Sequence, residues 1–546
     1  MYRSGAQLVR YALEQLNTEH TFGVLGDPNR AIYQELQQSN INTHLVNQEL
    51  SAAFMADAVS RTAQGEAVGT LLITADAIIN QGIAEAFITG VPLLIIAGAA
   101  QSHHQDQKQV LDQQQLLRPL TKACFKINRL QDIVSSLFEA HQIATSGKPG
   151  PVYLEISMGL QLQGQELEEP LPLHLCAANQ PELDLQQIDA AAQALLKAEN
   201  PVLFAGWGAV SAQAELIALA DTVAMPVCTS LSGISAFPAE HSLHAGLAAN
   251  PSAQRVLKDC DQLLAIGIDN TDLDSAELPD NLIQLTPEAI PALLYQLNEI
   301  QGNGKLFEAR AKTLSKTIAK YKAQLRDDWL DHNSKGRVNP GIFFDALSTA
   351  LENQNLHKDA IIVTGHGTHR ALAAELLAIN HPRGFICPSS FNAMGYCVPA
   401  VNAIKLANPD KQVVGIVGDG AMIISGMEAL TAVRQKLGTL YCLFNNSQRN
   451  ANKNPGHMNW GAFADALECG YFPITNNQGI DTILRRALET TAQGQPVILE
   501  ISIDYSRKSY YTKYQDKVQQ SRLPGRDRLG DVKRAIVRKI MGAKAD

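Results

Sequence analysis

Two short polar stops, Gly418-Asp419-Gly420 and Asn445-Asn446, carry the residue types that a hard cation needs. One carboxylate and one carboxamide oxygen suit Mg2+, which takes few protein oxygens and fills its shell with phosphate oxygens. The glycines let a diphosphate come close to backbone N–H groups, and a helix opening there adds its N-terminal dipole. Alone, either stop reads as a tight turn or a polar loop. Their setting changes that reading. Residues 413–417 are an apolar run ending at Gly418, and residues 440–444 are a second one ending at Asn445. Between them Met427, Leu430, Val433 and Leu437 recur at helical spacing, as for one buried face. The pattern predicts a strand–loop–helix–strand unit with a right-handed crossover between parallel strands. Asp419 and Asn446 then stand at the carboxyl ends of two strands, where open α/β sheets bind ligands.

So arranged, the two stops resemble the cofactor motif of thiamine diphosphate-dependent enzymes. Within them the chain resembles the acetolactate synthase and 2-oxo acid decarboxylase group over nearly its whole length. The resemblance implies thiamine diphosphate and Mg2+ as cofactors. It places the metal on Asp419, Asn446 and the backbone carbonyl of Gln448, with Gly418, Gly420 and Ala421 also at the cofactor.

Glu49, in VNQELSAAFMADAVSR, follows a short apolar strand and opens a helix carrying Ala53, Phe54 and Ala56. By itself it reads as a helix-start glutamate, favourable with the dipole. The resemblance implies more. In the family a glutamate in such a segment bonds N1′ of the cofactor's aminopyrimidine and activates the thiazolium ring. A carboxyl doing this is expected to be desolvated.

Residues 361–364 read as a strand ending in Gly365-His366-Gly367-Thr368-His369, and the resemblance puts Thr368 and His369 at the diphosphate. For His366 a polar loop is nearly as good a reading. In SSFNAMGYCVPA, Met394 matches the bulky apolar residue wedged between the cofactor's two rings, and Gly395 and Pro399 favour that match over a core methionine. Asn392 stands where many relatives have Gly, and its backbone carbonyl is expected to meet the 4′-amino group.

One landmark departs from the family. A Gly-Pro-Gly-type loop leading into an Asn is replaced by Thr74-Ala75-Asp76-Ala77-Ile78-Ile79-Asn80, which puts substrate choice in question. Asn80 is a candidate substrate residue. Gln109 and the pair His103-His104, from the Gln-rich stretch 101–115, are further candidates, the histidines reading first as surface residues.

The elements that must position these groups fit a chain of about three domains. Residues 1–165 alternate helix patterns with apolar runs at 21–25, 43–46, 68–74, 92–97 and 152–156. They predict a doubly wound sheet. Residues 185–300 hold strand readings at 201–205 and 262–266, residues 301–335 read as a charged helical connector, and residues 336–504 form the third domain. The fold class is therefore α/β, with three doubly wound parallel-sheet domains: pyrimidine-binding, central and diphosphate-binding. Gly206-Trp207-Gly208-Ala209-Val210-Ser211 is a near-miss to a dinucleotide loop, so FAD stays open while a structural central domain leads. Residues 505–546 form a basic tail, with 12 Lys and Arg against 4 Asp and Glu, that reads as a solvated surface helix or as a cover for an anionic substrate.

Composition narrows the class. The 546 residues are 45% hydrophobic and 18% charged, as in a soluble protein with large cores. The net charge of −9 argues against nucleic acid as a partner. No apolar run reaches the roughly 20 residues of a membrane helix. The amphipathic start, with Leu8, Val9, Ala12, Leu13 and Leu16, reads as a folded helix and not a signal peptide. The eight cysteines form no CxxC pair and read as reduced core residues of a cytoplasmic protein.

The expected activity is acetolactate synthase-like. The cofactor, activated by Glu49, would take up a pyruvate-like 2-oxo acid, release carbon dioxide and pass the acyl unit to a second carbonyl compound. A homodimer or homotetramer is implied, with the active site at the subunit interface. Two alternatives stand beside it: a decarboxylase releasing an aldehyde, and a catalytically silent binding or regulatory homologue. Retention of Glu49, Asp419 and Asn446 argues against the last.

Overall fold

The computed structural model describes residues 2–63, 67–100, 112–166, 171–174, 183–269, 272, 278–279, 281–300, 304–446 and 458–522. Three open parallel sheets of six, five and six strands organise them. The first has the spatial order Asn42–Leu45, His20–Gly23, Gly69–Thr74, Leu93–Ala99, Pro151–Ser157, Ala123–Ile127. The third runs Phe385–Ile386, Ile361–Thr364, Val413–Gly418, Thr439–Phe444, Val497–Ile501, Gly470–Ile474. Numbered along the chain, both are 2-1-3-4-6-5, one topology used twice. The central sheet, His244–Leu247, Val227–Thr229, Pro201–Ala205, Gln262–Ile266, Leu282–Leu285, is 3-2-1-4-5. In each sheet the order reverses beside the first strand, and that switch point is where doubly wound sheets hold ligands.

The strands read most clearly in the sequence are those covered on both faces. Val413–Gly418 and Thr439–Phe444 are buried at every position, so they appear as continuous apolar runs rather than alternating ones. The first helix, Gly5–Gln15, starts where a capping box closes: Ser4 Oγ accepts from the Gln7 N–H and Gln7 Oε1 from the Ser4 N–H. Ala123–Ile127, an edge strand with no buried residue before Ile127, lacks the apolar signal and was not foreseen.

The described residues pack as two compact units. One draws on Met1–Leu183, Asn333–Ala373 and Arg383–Asp504, and so contains the first and third sheets. The other draws on Asp184–His332, Ala374–Pro382 and Tyr505–Asp546. The stretch expected as a connector is a long helix, Gly304–Leu330, and its Ile318 and Leu314 join the core of the central sheet. The start of the basic segment is also a fixed part of this second unit. Its helix Tyr510–Arg522 is anchored by Tyr510 Oη donating to Asp328 (2.6 Å) and by the Tyr511 N–H donating to Glu375 (3.2 Å). Glu375 also accepts from the indole N–H of fully buried Trp329 at 2.7 Å. Residues 523–546, with the arginine-rich part of the tail, lie outside the described residues. Among the described residues no helix is long and apolar enough to cross a membrane, and the seven cysteines are free thiols.

Candidate active site

At the switch point of the third sheet, Ile361–Thr364 and Val413–Gly418 lie side by side and their loops leave at the same end. Gly365 to Gly367 leads into the helix Thr368–Leu376, and Gly418 leads into Asp419. The two loops close around His369, which is only 4% exposed. A Cβ at Gly367 or Gly418 would come within 2.6 or 2.9 Å of its Cε1 atom, so any side chain there would push the ring aside. Thr368, one residue earlier, is exposed.

Burial, then the nearby positive Arg370 and then His366, lower the His369 pKa to about 3, so the ring is neutral at working pH. Its Nε2 atom has no partner, and neither do three other buried polar atoms of this region: Thr364 Oγ1, Arg370 Nε and Ser389 Oγ. Three of these atoms, on Thr364, Arg370 and Ser389, can donate; unpaired buried donors are costly, and their concentration at a strand end suits a ligand rich in acceptor oxygens. A diphosphate is such a group, and at Gly420 the backbone stays open to its approach, a Cβ there meeting nothing nearer than Met394 Cε at 3.9 Å.

The buried neutral histidine also sets a pH dependence. In the unfolded chain it titrates near 6.5, so protons favour unfolding throughout the window from 6.5 down to about 3. The stability present above pH 6.5 falls by about 1.4 kcal/mol per pH unit inside that window. Denaturant unfolding at pH 7.5 and 5.5 should show a loss that His369→Phe reduces by about 1.4 kcal/mol. An unchanged difference would mean the ring is protonated in the folded protein.

Register places the next two groups. Gly418 pairs with Phe444, so Asp419 and Asn445 leave neighbouring strands at one level. Asp419 is half-exposed, and its Oδ1 accepts the Gly420 N–H at 2.8 Å. The asparagines differ in surroundings: Asn445 Nδ2 donates to Glu500 Oε1 at 2.6 Å, while half-buried Asn446 leads the chain out of the sheet. Gln448 lies outside the described residues. Ala421 is buried on the seven-residue helix Asp419–Ser425. The single helix expected after Asp419 is interrupted. A tight turn, Gly426–Glu428, separates Asp419–Ser425 from Ala429–Arg434, and Met427, assigned to the buried face, is 52% exposed. The cause is tertiary: Glu428 turns inward to accept the Asn47 N–H at 3.2 Å and the Thr431 hydroxyl at 2.5 Å.

The turn at 388–396 completes this face. Asn392 adopts φ +63°, the left-handed region that favours glycine and that Asn tolerates best among side-chain-bearing residues. Its Oδ1, which can only accept, lies 3.1 Å from His366 Nδ1, so His366 donates and joins this turn to the Gly365–His369 loop. Met394 is 41% exposed and therefore not a core methionine in this chain.

In the first sheet Glu49 is the first residue of the helix Glu49–Thr62 and is half-exposed, so the desolvation expected of it does not come from this chain's own fold. The helix Asn80–Thr89 begins with half-buried Asn80, and Gln81 Nε2 donates to the Met394 carbonyl at 3.3 Å. The altered loop before it exposes Ile78 by 76% and is held by Gln113 Nε2 donating to Ala77 O at 2.7 Å. His103, His104 and Gln109 lie outside the described residues.

Comparison with known proteins agrees with this layout. Residues 3–116, 188–291 and 365–501 match the N-terminal TPP-binding, central and C-terminal TPP-binding domains of thiamine pyrophosphate enzymes. The chain is 27% identical to a probable acetolactate synthase large subunit of Methanocaldococcus jannaschii, over 92% of each chain. It is 30% identical to an acetolactate synthase large subunit of Corynebacterium glutamicum, over 81% of this chain and 75% of that one. The chain belongs to the thiamine pyrophosphate enzyme family. It is a thiamine diphosphate-dependent enzyme, and its two TPP-binding domains are the two sheets of like topology.

The central domain of this thiamine pyrophosphate enzyme has its own switch point, at Gly206 and Gly267. A Cβ at Gly206 would stand 2.5 Å from Gly267 O and 2.8 Å from Asp272 Oδ2, so the crevice already holds a carboxylate. Asp272 Oδ1 accepts the Ser232 hydroxyl at 3.1 Å, and burial, then Asp269, push its pKa up to about 6.

Sequence reading missed three residue groups that join the two TPP-binding domains. Asn47 donates through Nδ2 to Met427 O (2.9 Å) and accepts from Arg434 (2.6 Å). Gln81 reaches Met394. Asp57, Arg61 and Glu85 are buried together. The last group did leave a signal, since ionised residues set among the apolar positions of ELSAAFMADAVSRT and NQGIAEAFIT must find buried partners.

Proposed function

We propose that this enzyme is a Mg2+-dependent carboligase that decarboxylates a pyruvate-like 2-oxo acid and joins the acyl unit to a second carbonyl compound. The observation that carries the reading is the third sheet's switch point, where Gly365–Gly367 and Gly418–Gly420 meet around His369 amid unpaired donors. The names of the similar acetolactate synthases supply the reaction class.

The residues fit the cofactor's parts. Asp419 and Asn446, with the backbone of Gln448, would hold Mg2+ and through it the diphosphate. Thr368, His369 and the backbone of Gly418, Gly420 and Ala421 would line the diphosphate's path. Met394 offers an exposed, adaptable apolar side chain to the ring system, and the Asn392 carbonyl offers an acceptor. Glu49 would hold a proton at the aminopyrimidine N1′. The bound cofactor supplies the electron sink for loss of carbon dioxide. Asn80 sits at the substrate end.

Glu49 is half-exposed, and Met394, Ile423, Ile424 and Met427 are 41–64% exposed in one chain. A desolvated carboxyl and covered apolar side chains need a second surface, which supports at least a homodimer with the site at the interface. For the central domain the Asp272 carboxylate in the crevice opposes a phosphate of like charge and supports a structural role over FAD binding.

An NMR time course of pyruvate with the protein, thiamine diphosphate and Mg2+ tests the proposal. Acetolactate or acetoin is expected, with loss of all turnover on chelating the metal. Acetaldehyde alone would replace carboligation by simple decarboxylation. Turnover unaffected by thorough chelation would remove the metal assignment.

A further inference from the structure

Three ionised side chains lie inside the unit formed by the two TPP-binding domains. Asp57 and Arg61 come from the helix Glu49–Thr62 and Glu85 from the helix Asn80–Thr89, and each is at most 2% exposed. Arg61 donates to Asp57 at 2.6 and 3.2 Å and lies 3.7 Å from Glu85. Asp57 also accepts the Tyr396 hydroxyl at 2.7 Å. The domains therefore meet through charges that water cannot reach, and every such charge needs designated partners.

Glu85 finds its partners in one turn of the other domain. Its Oε1 accepts the Ser389 N–H at 3.1 Å and the Thr89 hydroxyl at 3.0 Å, and its Oε2 accepts the Ala393 N–H at 3.3 Å. One carboxylate thus grips both ends of the Ser389–Ala393 turn, which contains Asn392 and is followed directly by Met394. Arg61 Nη1 donates to Cys387 O at 3.4 Å, just before the turn. Gln81, Glu85 and Thr89 are spaced four apart, so they share one helix face. From that face Gln81 holds the Met394 carbonyl, Glu85 holds the two N–H groups and Thr89 steadies Glu85.

We propose that Glu85 is a positioning residue that fixes the Asn392–Met394 turn, and with it the cofactor's aminopyrimidine contacts, from the neighbouring domain. This rests on the assignment of Asn392 and Met394 to the cofactor. Asn392 holds a left-handed backbone and Gly395 follows at φ +88°, so the turn has no regular hydrogen-bond ladder to keep its shape. The carboxylate replaces that ladder. Its charge strengthens both N–H bonds, and its two oxygens lock their separation.

Glu85→Gln is the discriminating change. The carboxamide keeps the volume but has one accepting oxygen, and in either orientation its NH2 faces a loop N–H. In the variant, backbone hydrogen exchange at Ser389 or Ala393 should quicken about tenfold, and the Kd for thiamine diphosphate with Mg2+ should rise about tenfold. Leu347→Ala, a core truncation in the same unit remote from the turn's hydrogen bonds, serves as the control. It should lower Tm without changing Kd. Faster exchange with an unchanged Kd overturns the proposal, and so does a control that weakens cofactor binding as much as Glu85→Gln. If Glu85→Gln does not fold, half-exposed Gln81→Ala removes a single tether, and a Kd equal to the parent's overturns the proposal. The readout is binding, not product. A parent that binds cofactor but forms no carbon–carbon product overturns the proposed reaction alone, and one that binds no cofactor overturns both.

Discussion

Glu49→Gln should lower kcat by roughly 10²- to 10⁴-fold, the range for loss of a positioned proton-transferring group, while thiamine diphosphate still binds. The two roles open to this residue differ in what they make of the substitution. As a helix-start glutamate, Glu49 lies at the first position of Glu49–Thr62 and interacts with the dipole. Neutralising it then costs about 0.3–1 kcal/mol of stability and nothing in rate. As the partner of the aminopyrimidine N1′, it must hold a proton, which a carboxamide of the same shape cannot do. Gln also keeps a hydrogen-bonding end, so most of the cofactor's binding contacts survive. Calorimetric titration of cofactor and Mg2+, beside turnover of the best 2-oxo acid, separates the two roles. A variant with parental kcat would return Glu49 to its helix-start role and remove the mechanism proposed for this site.

The parts of this architecture that were legible in the sequence are those whose cause is local. Ile361–Thr364, Pro201–Ala205 and Gln262–Ile266 could be read at their observed bounds because strands covered on both faces must be continuously apolar. Gly418-Asp419-Gly420 was legible because it ends one continuous apolar run and stands a helix's length before Asn445-Asn446; that Gly418 also makes way for the His369 ring was not. Long-range causes left weaker traces. Met427 has the right spacing for a buried helix face, yet Glu428 is drawn toward Asn47, a residue nearly four hundred positions away, and the helix breaks there. Val227–Thr229 and Phe385–Ile386 are too short to show a period, and each is strand-like because of its neighbour in the sheet. The repeated 2-1-3-4-6-5 order is a property of pairing, which no single strand encodes. Glu85 falls between these cases. As the one ionisable residue of the helix Asn80–Thr89 it called for a partner and was passed over, and nothing local showed that its partners were two N–H groups of another domain.

The same buried group gives the largest expected effect on stability. Arg61→Ala should destabilise the unit by about 3–5 kcal/mol, because it leaves Asp57 and Glu85 buried without their cation. The loss is read from the denaturant midpoints of parent and variant at unchanged m-value. Arg485 and Glu489 make the comparison fair: they form the same i,i+4 pairing at 3.0 Å, but with side chains 59% and 52% exposed. Arg485→Ala should be nearly silent, because water and salt already screen that pair. If both arginines proved equally dispensable, Asp57 and Glu85 would have to be satisfied by Tyr396, Thr89 and the two backbone N–H groups alone, and the grip on the Met394 turn would not depend on Arg61.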